Sequence, residues 1–351
     1  MAGATNITNR SMAMKEIAIA ELLGDGIGPE LRDSLYAVMD AMPQKFKMIP
    51  FDLSLENRES GDRNLFKKVG AAMNEHKLAI KYPTVTATSS PNGIIRRMCN
   101  FSVILRPVIS IKGIKSNFTE QVFLNIVRVA TGGTYDDPGR MIGKDAAVSI
   151  RIVERGPCRQ AARYAFEFAR KKKLNVTSSS KHTIQRATDG LFEAVVAEMH
   201  KSFPEIKHRV ELFDALLAKI ILKPEDYQVV LVLNEYGDFL SDMASGLIGS
   251  IGTGASGNFS FTEDDRVDIA MFDPSGGTAP DIAGKNKCNP TAMLLAFGML
   301  LDHIDRYDLG HELRMAMLSA IAAGECTGDI GGKLGTREFT RVVIERMKGK
   351  F

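Results

Sequence analysis

Short apolar runs alternate along this chain with longer stretches of helical periodicity, and this alternation limits the possible folds more than any other feature. Strand-length runs occupy residues 17–23, 103–105, 148–152, 229–233 and 269–272, and helical periodicity occupies residues 157–170 and 190–201. Three further helical segments, at residues 291–306, 309–323 and 336–348, follow one another without a strand between them. Because such elements pack as a sheet covered by helices, the sequence predicts an α/β fold.

The length and composition are those of an enzyme-sized globular protein. The 351 residues suffice for one large or two medium domains, with 44% hydrophobic and 25% charged residues. A net charge of +3 spread over the whole chain is no signature of polyanion binding. Nucleic acid is therefore not an expected partner.

The cysteines and the amino-terminal segment bear on the compartment. Cys99, Cys158, Cys288 and Cys326 form no CxxC pair, which predicts reduced structural thiols. No apolar run reaches the roughly 20 residues that span a bilayer, so no membrane partner is expected. The first fifteen residues lack the apolar core of a secretory signal, and we expect a loose tail on a cytoplasmic protein. The absence of acidic residues before Glu16 leaves a short organellar presequence as the alternative.

The stretch GDGIGPEL, at residues 24–31, directly follows the first apolar run. A Rossmann fingerprint needs glycine at its sixth position, where this chain has Pro29. Proline suits the first turn of a helix, and Glu30 suits the positive end of the helix dipole. The residues alone therefore predict a strand, a glycine turn and a helix, and they leave open whether this turn binds a ligand.

Three arginines lie beside apolar runs. Arg96 belongs to the segment SSPNGIIRR, Arg106 precedes a proline, and Arg128 belongs to NIVRVATGGTY. Forked guanidinium groups match carboxylates bidentately, so the three together suggest a polycarboxylate substrate. Each of them taken alone also fits a surface or interface arginine.

Asp238 and Asp242 lie four residues apart in LNEYGDFLSDMASGL, which is typical of a strand end that enters a helix. On a helix the two carboxylates share one face and repel each other unless a cation lies between them. A divalent metal is thus plausible, with Asp214 as a third candidate ligand and Mg²⁺ or Mn²⁺ as the ion that suits oxygen ligands. The alternative is a solvated acidic face.

Two other segments have the features of a site. Lys181 follows the strand-like run VTSSS, a position at which active-site residues of α/β sheets gather, although a lone lysine there also fits a solvated side chain. His182 has no metal-ligand spacing and is interpreted as structural or exposed. The long polar loop FDPSGGTAPDIAGKNKCNPTA contains more backbone-exposing residues than a connector needs.

The chain resembles the β-decarboxylating dehydrogenases, which act on isocitrate, isopropylmalate, homoisocitrate or tartrate, and it is most similar to the isocitrate type. The resemblance rests on segments in the family's order: GDGIGPEL, SPNGIIRR, LRP, TGGTY, VTSSSK, NEYGDFLSD, SGN and GTAPDIAGKNKCNPTA. It implies a two-domain fold unrelated to the Rossmann domain. Residues 1–102 and 250–351 would form a large cofactor-binding domain, and residues 103–249 a smaller domain with the dimer interface.

The resemblance also implies roles for the residues noted above. The three arginines would bind the substrate carboxylates, and Asp214, Asp238 and Asp242 would hold the divalent metal. Lys181 would accept the hydroxyl proton during hydride transfer to NAD, and Tyr135 would protonate the carbon after decarboxylation. Because the family geometry brings Lys181 and Asp214 from a partner subunit, a homodimer with shared active sites is expected.

Substrate and cofactor choice follow from further positions. Ser90 and Asn92 are similar to the isocitrate type, in which they bind the γ-carboxylate. Asp281 would accept a hydrogen bond from the ribose 2′-hydroxyl and repel a 2′-phosphate, which favours NAD over NADP. The resemblance implies the following cofactor contacts: Ile27, Asn234, Gly277, Thr278, Ala279, Asp281, Ile282 and Asn289.

Several positions depart from the family pattern. Gly276 stands where histidine is usual, Val129 and Ala130 follow the arginine where an acidic residue is usual, and Tyr82 replaces a glycine. These departures keep open a specialised homologue that acts on isopropylmalate, homoisocitrate, tartrate or a phosphonate-bearing malate. A regulatory subunit without activity is a further alternative, although it would be expected to lack Lys181, Tyr135 or the aspartates.

Overall fold

The computed structural model describes residues 16–87, 89–118, 121–249 and 251–349. The strands are β1 (Ile17–Leu23), β2 (Phe46–Asp52), β3 (Leu78–Lys81), β4 (Val103–Ile109), β5 (Phe123–Val129), β6 (Arg140–Ile142), β7 (Ala146–Val148), β8 (Val176–Ser180), β9 (His208–Leu212), β10 (Val229–Val232), β11 (Ala255–Phe261) and β12 (Val267–Pro274). The helices are α1 (Gly28–Asp40), α2 (Leu55–Ser60), α3 (Leu65–His76), α4 (Pro91–Met98), α5 (Arg155–Lys172), α6 (Thr188–His200), α7 (Phe213–Leu222), α8 (Asn234–Leu247), α9 (Thr291–His303), α10 (Tyr307–Ala322) and α11 (Thr336–Met347).

Ten of these strands form one sheet in the order β2-β1-β3-β12-β11-β4-β5-β10-β8-β9. Neighbours pair in parallel except at β11, which is antiparallel to β12 and β4, and between β4 and β5. The strands from the two chain ends lie together in one half, and those from the middle of the chain form the other half. The predicted α/β class is therefore confirmed, whereas the domain boundaries near residues 102 and 250 stay a prediction.

Helices cover both faces of the sheet, and the alternation of side chains along the strands divides the core accordingly. On β10, Val229 and Leu231 join the cluster packed under α5, α6 and α9, whereas Val230 and Val232 pack against α7 and α8. The sequence of a strand that is buried on both faces is a continuous apolar run, and Val229–Val232 has this sequence pattern. Among the described residues, no helix is long and apolar enough to cross a membrane.

One predicted strand is wrong. The run at residues 148–152 does not enter the large sheet, because β7 ends at Val148 and pairs only with β6 in a two-stranded hairpin. Ile152 instead forms an isolated bridge with Gly133. Ile150 and Ile152 are about half exposed, at 50% and 45%, so their apolar character does not reflect burial within this chain.

The turn at residues 24–28 forms as the sequence predicts, between β1 and α1. Gly24 has no room for a side chain, because a Cβ there would lie 1.9 Å from the carbonyl oxygen of Pro83. Pro29 lies in the first turn of α1. The Glu30 carboxylate accepts the backbone N–H groups of Gly284 and Asn286, both at 2.8 Å, and thereby joins α1 to the long polar loop.

Candidate active site

Two of the predicted arginines converge on the first half of α8. Arg106, on β4, donates from Nη1 to Asp238 Oδ1 at 3.0 Å and to Ser241 Oγ at 2.6 Å. Arg128, on β5, donates from Nη1 to the same Asp238 oxygen. Its Nε and Nη2 donate to Asn234 Oδ1 at 3.0 and 2.8 Å, and its side chain is only 1% exposed. These residues come together because β4 and β5 are neighbours in the sheet and α8 packs across them.

The helix α8 approaches Arg128 so closely that one of its positions must be glycine. A Cβ at Gly237 would lie 2.7 Å from both Cβ and Cγ of Arg128. Since real Cβ atoms do not come this close, any side chain at Gly237 would displace the arginine. The glycine of the NEYGD segment is therefore needed to leave room for the Arg128 side chain, not to form a turn.

Arg96, Arg106 and Arg128, here called the arginine cluster, lie close enough to repel one another beside Asp238. Burial, together with repulsion from Arg106 and Arg96, lowers the pKa of Arg128 to about 9, and burial likewise lowers the pKa of Arg96. Burial opposes ionisation of Asp238, yet Arg128 and Arg106 outweigh it and hold the pKa of this carboxyl below its usual range. A site that keeps several cations together in this way is suited to a ligand with several negative charges.

Buried polar atoms at this site also lack partners. In the part of the chain that the structure describes, Arg96 Nε, Arg106 Nε and Asn92 Oδ1 are buried without a hydrogen bond. Leaving such groups unpaired is unfavourable unless a ligand or water satisfies them. Ser90 is the N-cap of α4, and its Oγ accepts the Gly93 N–H at 3.3 Å. The predicted substrate residues Ser90, Asn92 and Arg96 therefore share one short helix.

Tyr135 lies against the same carboxylate. Its hydroxyl donates to Asp238 Oδ2 at 3.1 Å, and the Arg128 guanidinium lies 5.8 Å from its ring centroid. Burial and the Asp238 charge raise the pKa of Tyr135 to about 12. The phenol thus stays protonated at neutral pH and is able to act as a proton donor.

Lys181 and Asp214 form a separate pair. Lys181 Nζ lies 2.7 Å from Asp214 Oδ2, and this hydrogen bond holds the pKa of Asp214 below its usual range. Lys181 directly follows β8, and Asp214 lies in the first turn of α7. The two side chains lie at the ends of elements that are distinct from those that carry the arginines.

The three predicted metal ligands do not meet within one chain. Across residues 16–87, 89–118, 121–249 and 251–349, no group of three His, Cys, Asp or Glu side chains could hold a metal ion. Asp238 and Asp242 do share one face of α8, as predicted, and the Asp242 side chain is 72% exposed. Its nearest cation is Arg106, at 3.6 Å. A three-carboxylate site made by two subunits therefore stays a prediction.

The predicted cofactor residues fall into two places. The turn at residues 25–28 meets the long polar loop through Ile27 N–H, which donates to the Thr278 carbonyl at 2.9 Å. A Cβ at Gly276 or Gly277 would meet nothing within 4 Å, so this part of the loop borders open space. Gly277, Thr278, Ala279, Asp281 and Ile282 all lie in this loop, and Asn289, at its end, donates to Asp329 Oδ2 at 2.9 Å.

Asn234 lies elsewhere. Its Oδ1 accepts two hydrogen bonds from Arg128, and its Nδ2 donates to the Gly132 carbonyl at 2.9 Å. Asn234 thus orients the Arg128 guanidinium, a role that the sequence did not predict. Ser241 was missed as well, although its spacing of seven residues from Asn234 and three from Asp238 places it on the same helical face.

Comparisons with known proteins assign the chain to a family. The model of the isocitrate/isopropylmalate dehydrogenase family matches residues 18–343. The chain belongs to the isocitrate/isopropylmalate dehydrogenase family, as its sequence motifs predicted.

Individual relatives cover nearly the whole chain. Mitochondrial NAD isocitrate dehydrogenase subunit 2 from Kluyveromyces lactis is 35% identical over 92% of this chain and 89% of its own length. The human mitochondrial subunit alpha is 31% identical over 93% of this chain and 89% of its own length. A crystal structure of isocitrate dehydrogenase from Methylococcus capsulatus superposes with a TM-score of 0.86 at 30% identity, covering 95% of this chain and 99% of that one. The cytoplasmic location expected from this sequence stays a prediction.

Proposed function

We propose that this protein catalyses the NAD-dependent oxidative decarboxylation of isocitrate. The observation that carries the proposal is the largely buried arginine cluster with unpartnered Nε donors, beside a carboxylate and a protonated phenol. An anion with several carboxylates would satisfy the free donors of Arg96 and Arg106. The relatives named above, which are NAD isocitrate dehydrogenase subunits, support the same substrate and cofactor.

The residues of this chain would act in three roles. Arg96, Arg106 and Arg128 bind the carboxylates and fix the orientation of the substrate. Lys181, as a neutral amine, accepts the proton of the substrate hydroxyl while the carbon that carries the hydroxyl is oxidised to a ketone. After the β-carboxylate has left as CO₂, the Tyr135 hydroxyl donates a proton to the carbon that carried it.

The cofactors find suitable residues at separate places. Open space beside Gly276 and Gly277, next to the turn that contains Ile27, fits the adenosine end of NAD. The exposed Asp242 carboxylate and the neighbouring Asp238 offer the oxygen ligands that Mg²⁺ and Mn²⁺ prefer, with Asp214 of a second copy as the third. When bound, NAD supplies the hydride acceptor and the divalent ion supplies Lewis acidity.

A homodimer is part of this proposal. Lys181 pairs with Asp214 at the ends of β8 and α7, and among the described residues no direct hydrogen bond or ion pair joins either side chain to Asp238. In the proposed homodimer, Lys181 and Asp214 of the second chain complete the site. The relatives are named as subunits, so a mixed assembly with a related chain is the outcome that would replace the homodimer.

The substrate is tested with a panel of 3-substituted malates. Purified protein with NAD and Mg²⁺ is expected to form NADH and CO₂ in equal amounts from isocitrate, and EDTA is expected to stop the reaction. Isopropylmalate is expected to react most slowly, because its apolar substituent cannot hydrogen-bond with Ser90 and Asn92. Homoisocitrate, tartrate and a phosphonate-bearing malate are measured in the same assay, and isocitrate is expected to have the highest kcat/KM. Absence of NADH with every compound would overturn the proposal, and a preferred substrate other than isocitrate would correct it.

A further inference from the structure

Arg151 is a mostly buried cation that the proposed reaction does not use. It lies between β7 and α5, and its side chain is 15% exposed. Its Nη2 donates to Asp189 Oδ1 at 3.0 Å, and its Nη1 donates to Glu235 Oε1. The guanidinium also lies 5.0 Å from the centroid of the Tyr236 ring. One side chain thus holds two carboxylates whose exposed fractions are only 0% and 5%.

The Asp189 end of this network reaches Lys181. Asp189 Oδ2 accepts the Lys181 backbone N–H at 2.7 Å and the Tyr236 hydroxyl at 3.1 Å. Asp189 lies in the first turn of α6, which follows the short turn that begins at Lys181. The carboxylate that Arg151 holds therefore fixes the backbone of the proposed proton acceptor.

The Glu235 end reaches the other reacting groups. Glu235 lies in the first turn of α8, next to Asn234 and three residues before Asp238. A Cβ on Gly133 would lie 1.9 Å from Glu235 Oε2, so the loop that leads to Tyr135 packs directly on this carboxylate. The residue after Arg151 strengthens the contact, because Ile152 exchanges two backbone hydrogen bonds with Gly133, at 2.7 and 3.2 Å.

We propose that Arg151 is a positioning residue that sets Lys181, Tyr135 and Asp238 relative to one another. The inference rests on the proposed function. In the proposed dimer, Lys181 serves one active site whereas Tyr135 and Asp238 serve the other, so Arg151 couples the two sites of the dimer. Only a planar fork contacts both carboxylates at once, and lysine would keep the charge but lose one contact.

The first measurement compares steady-state kinetics of Arg151→Lys and Arg151→Gln with wild type. Arg151→Lys is expected to lower kcat about tenfold or more, because small misplacements of reacting groups are costly, while KM for isocitrate stays within about threefold. Arg151→Gln leaves two buried carboxylates without a cation and serves as the harsher variant. Arg155→Gln is the matched control, since Arg155 pairs with Glu198 on the surface, and it is expected to match wild type. A wild-type kcat in Arg151→Lys would overturn the proposal.

The second measurement does not depend on turnover. The rate at which an amine reagent modifies Lys181 is followed by peptide mass spectrometry, with the exposed Lys219 as internal reference. Loosening of the turn in Arg151→Lys is expected to raise the Lys181 rate about threefold and to leave Lys219 unchanged. An unchanged Lys181 rate would overturn the link to Asp189. A wild type without activity but with this change in labelling would overturn the proposed function and support the structural link.

Discussion

Replacement of Arg128 by glutamine is expected to lower kcat/KM for isocitrate about a thousandfold, which corresponds to about 4 kcal/mol of lost transition-state stabilisation. Arg128 is 1% exposed, and besides Asp238 its guanidinium hydrogen-bonds to Asn234, which that of Arg106 does not, so Arg106 does not reproduce its position. The substitution removes a group that binds a substrate carboxylate. It also removes one of the two positive charges that contact Asp238, and breaking a buried ion pair typically costs about 3–5 kcal/mol. The measurement is steady-state kinetics over a range of isocitrate concentrations.

The control for this variant is an exposed arginine on α4. Arg97→Gln removes the same charge from an exposed position of α4, next to Arg96, and is expected to retain wild-type kinetics. Circular dichroism of both variants establishes that the fold persists. If Arg128→Gln kept kcat/KM within about tenfold of wild type, the arginine cluster would not be the substrate site.

Replacement of Lys181 by methionine is expected to lower kcat by a factor of about 10² to 10⁴, the range that general acid–base groups contribute. Lys181 is proposed to act on the substrate hydroxyl and not on the carboxylates that the arginines bind, so KM for isocitrate is expected to change little. A loss confined to kcat would identify a group that acts in the chemical step. Single-turnover formation of NADH measures that step directly.

Lys219→Met provides a matched control, because Lys219 also forms an ion pair with a carboxylate, Glu211, but on the surface. It is expected to leave kcat and KM unchanged. Retention of turnover in Lys181→Met would show that another group accepts the proton. The assignment of Lys181 as the base would then be wrong, whereas the assignment of the arginines as the substrate site would stand.

Local patterns in the sequence predicted individual strands and helical faces, which depend mainly on neighbouring residues in the chain. Val229–Val232 is a strand that both the apolar run and the structure identify, and the spacing of Asp238 and Asp242 correctly placed them on one helical face. The edge strands β2 and β9 escaped notice, because Phe46–Asp52 contains Pro50 and His208–Leu212 is largely polar. Both features are typical of strands with one free edge.

The candidate site likewise has a part that the sequence predicted and a part that it did not. The arginines and aspartates were predicted from their residue type and spacing, whereas the network around Arg151 joins it to residues 38 and 84 positions away in the chain. No periodicity connects such positions, since only the packing of α6 and α8 against the sheet brings them together. The run at residues 148–152 was wrongly predicted to be a strand of the sheet, because hydrophobicity alone does not distinguish a core strand from an exposed apolar surface.

The proposed function is tested most directly by a crystal structure of the protein with Mn²⁺ and isocitrate, in which anomalous scattering locates the ion. We expect an anomalous peak beside Asp238 and Asp242, completed by Asp214 of a second copy, with the isocitrate carboxylates on Arg96, Arg106 and Arg128. An ion bound elsewhere, or isocitrate without contact to these arginines, would contradict it.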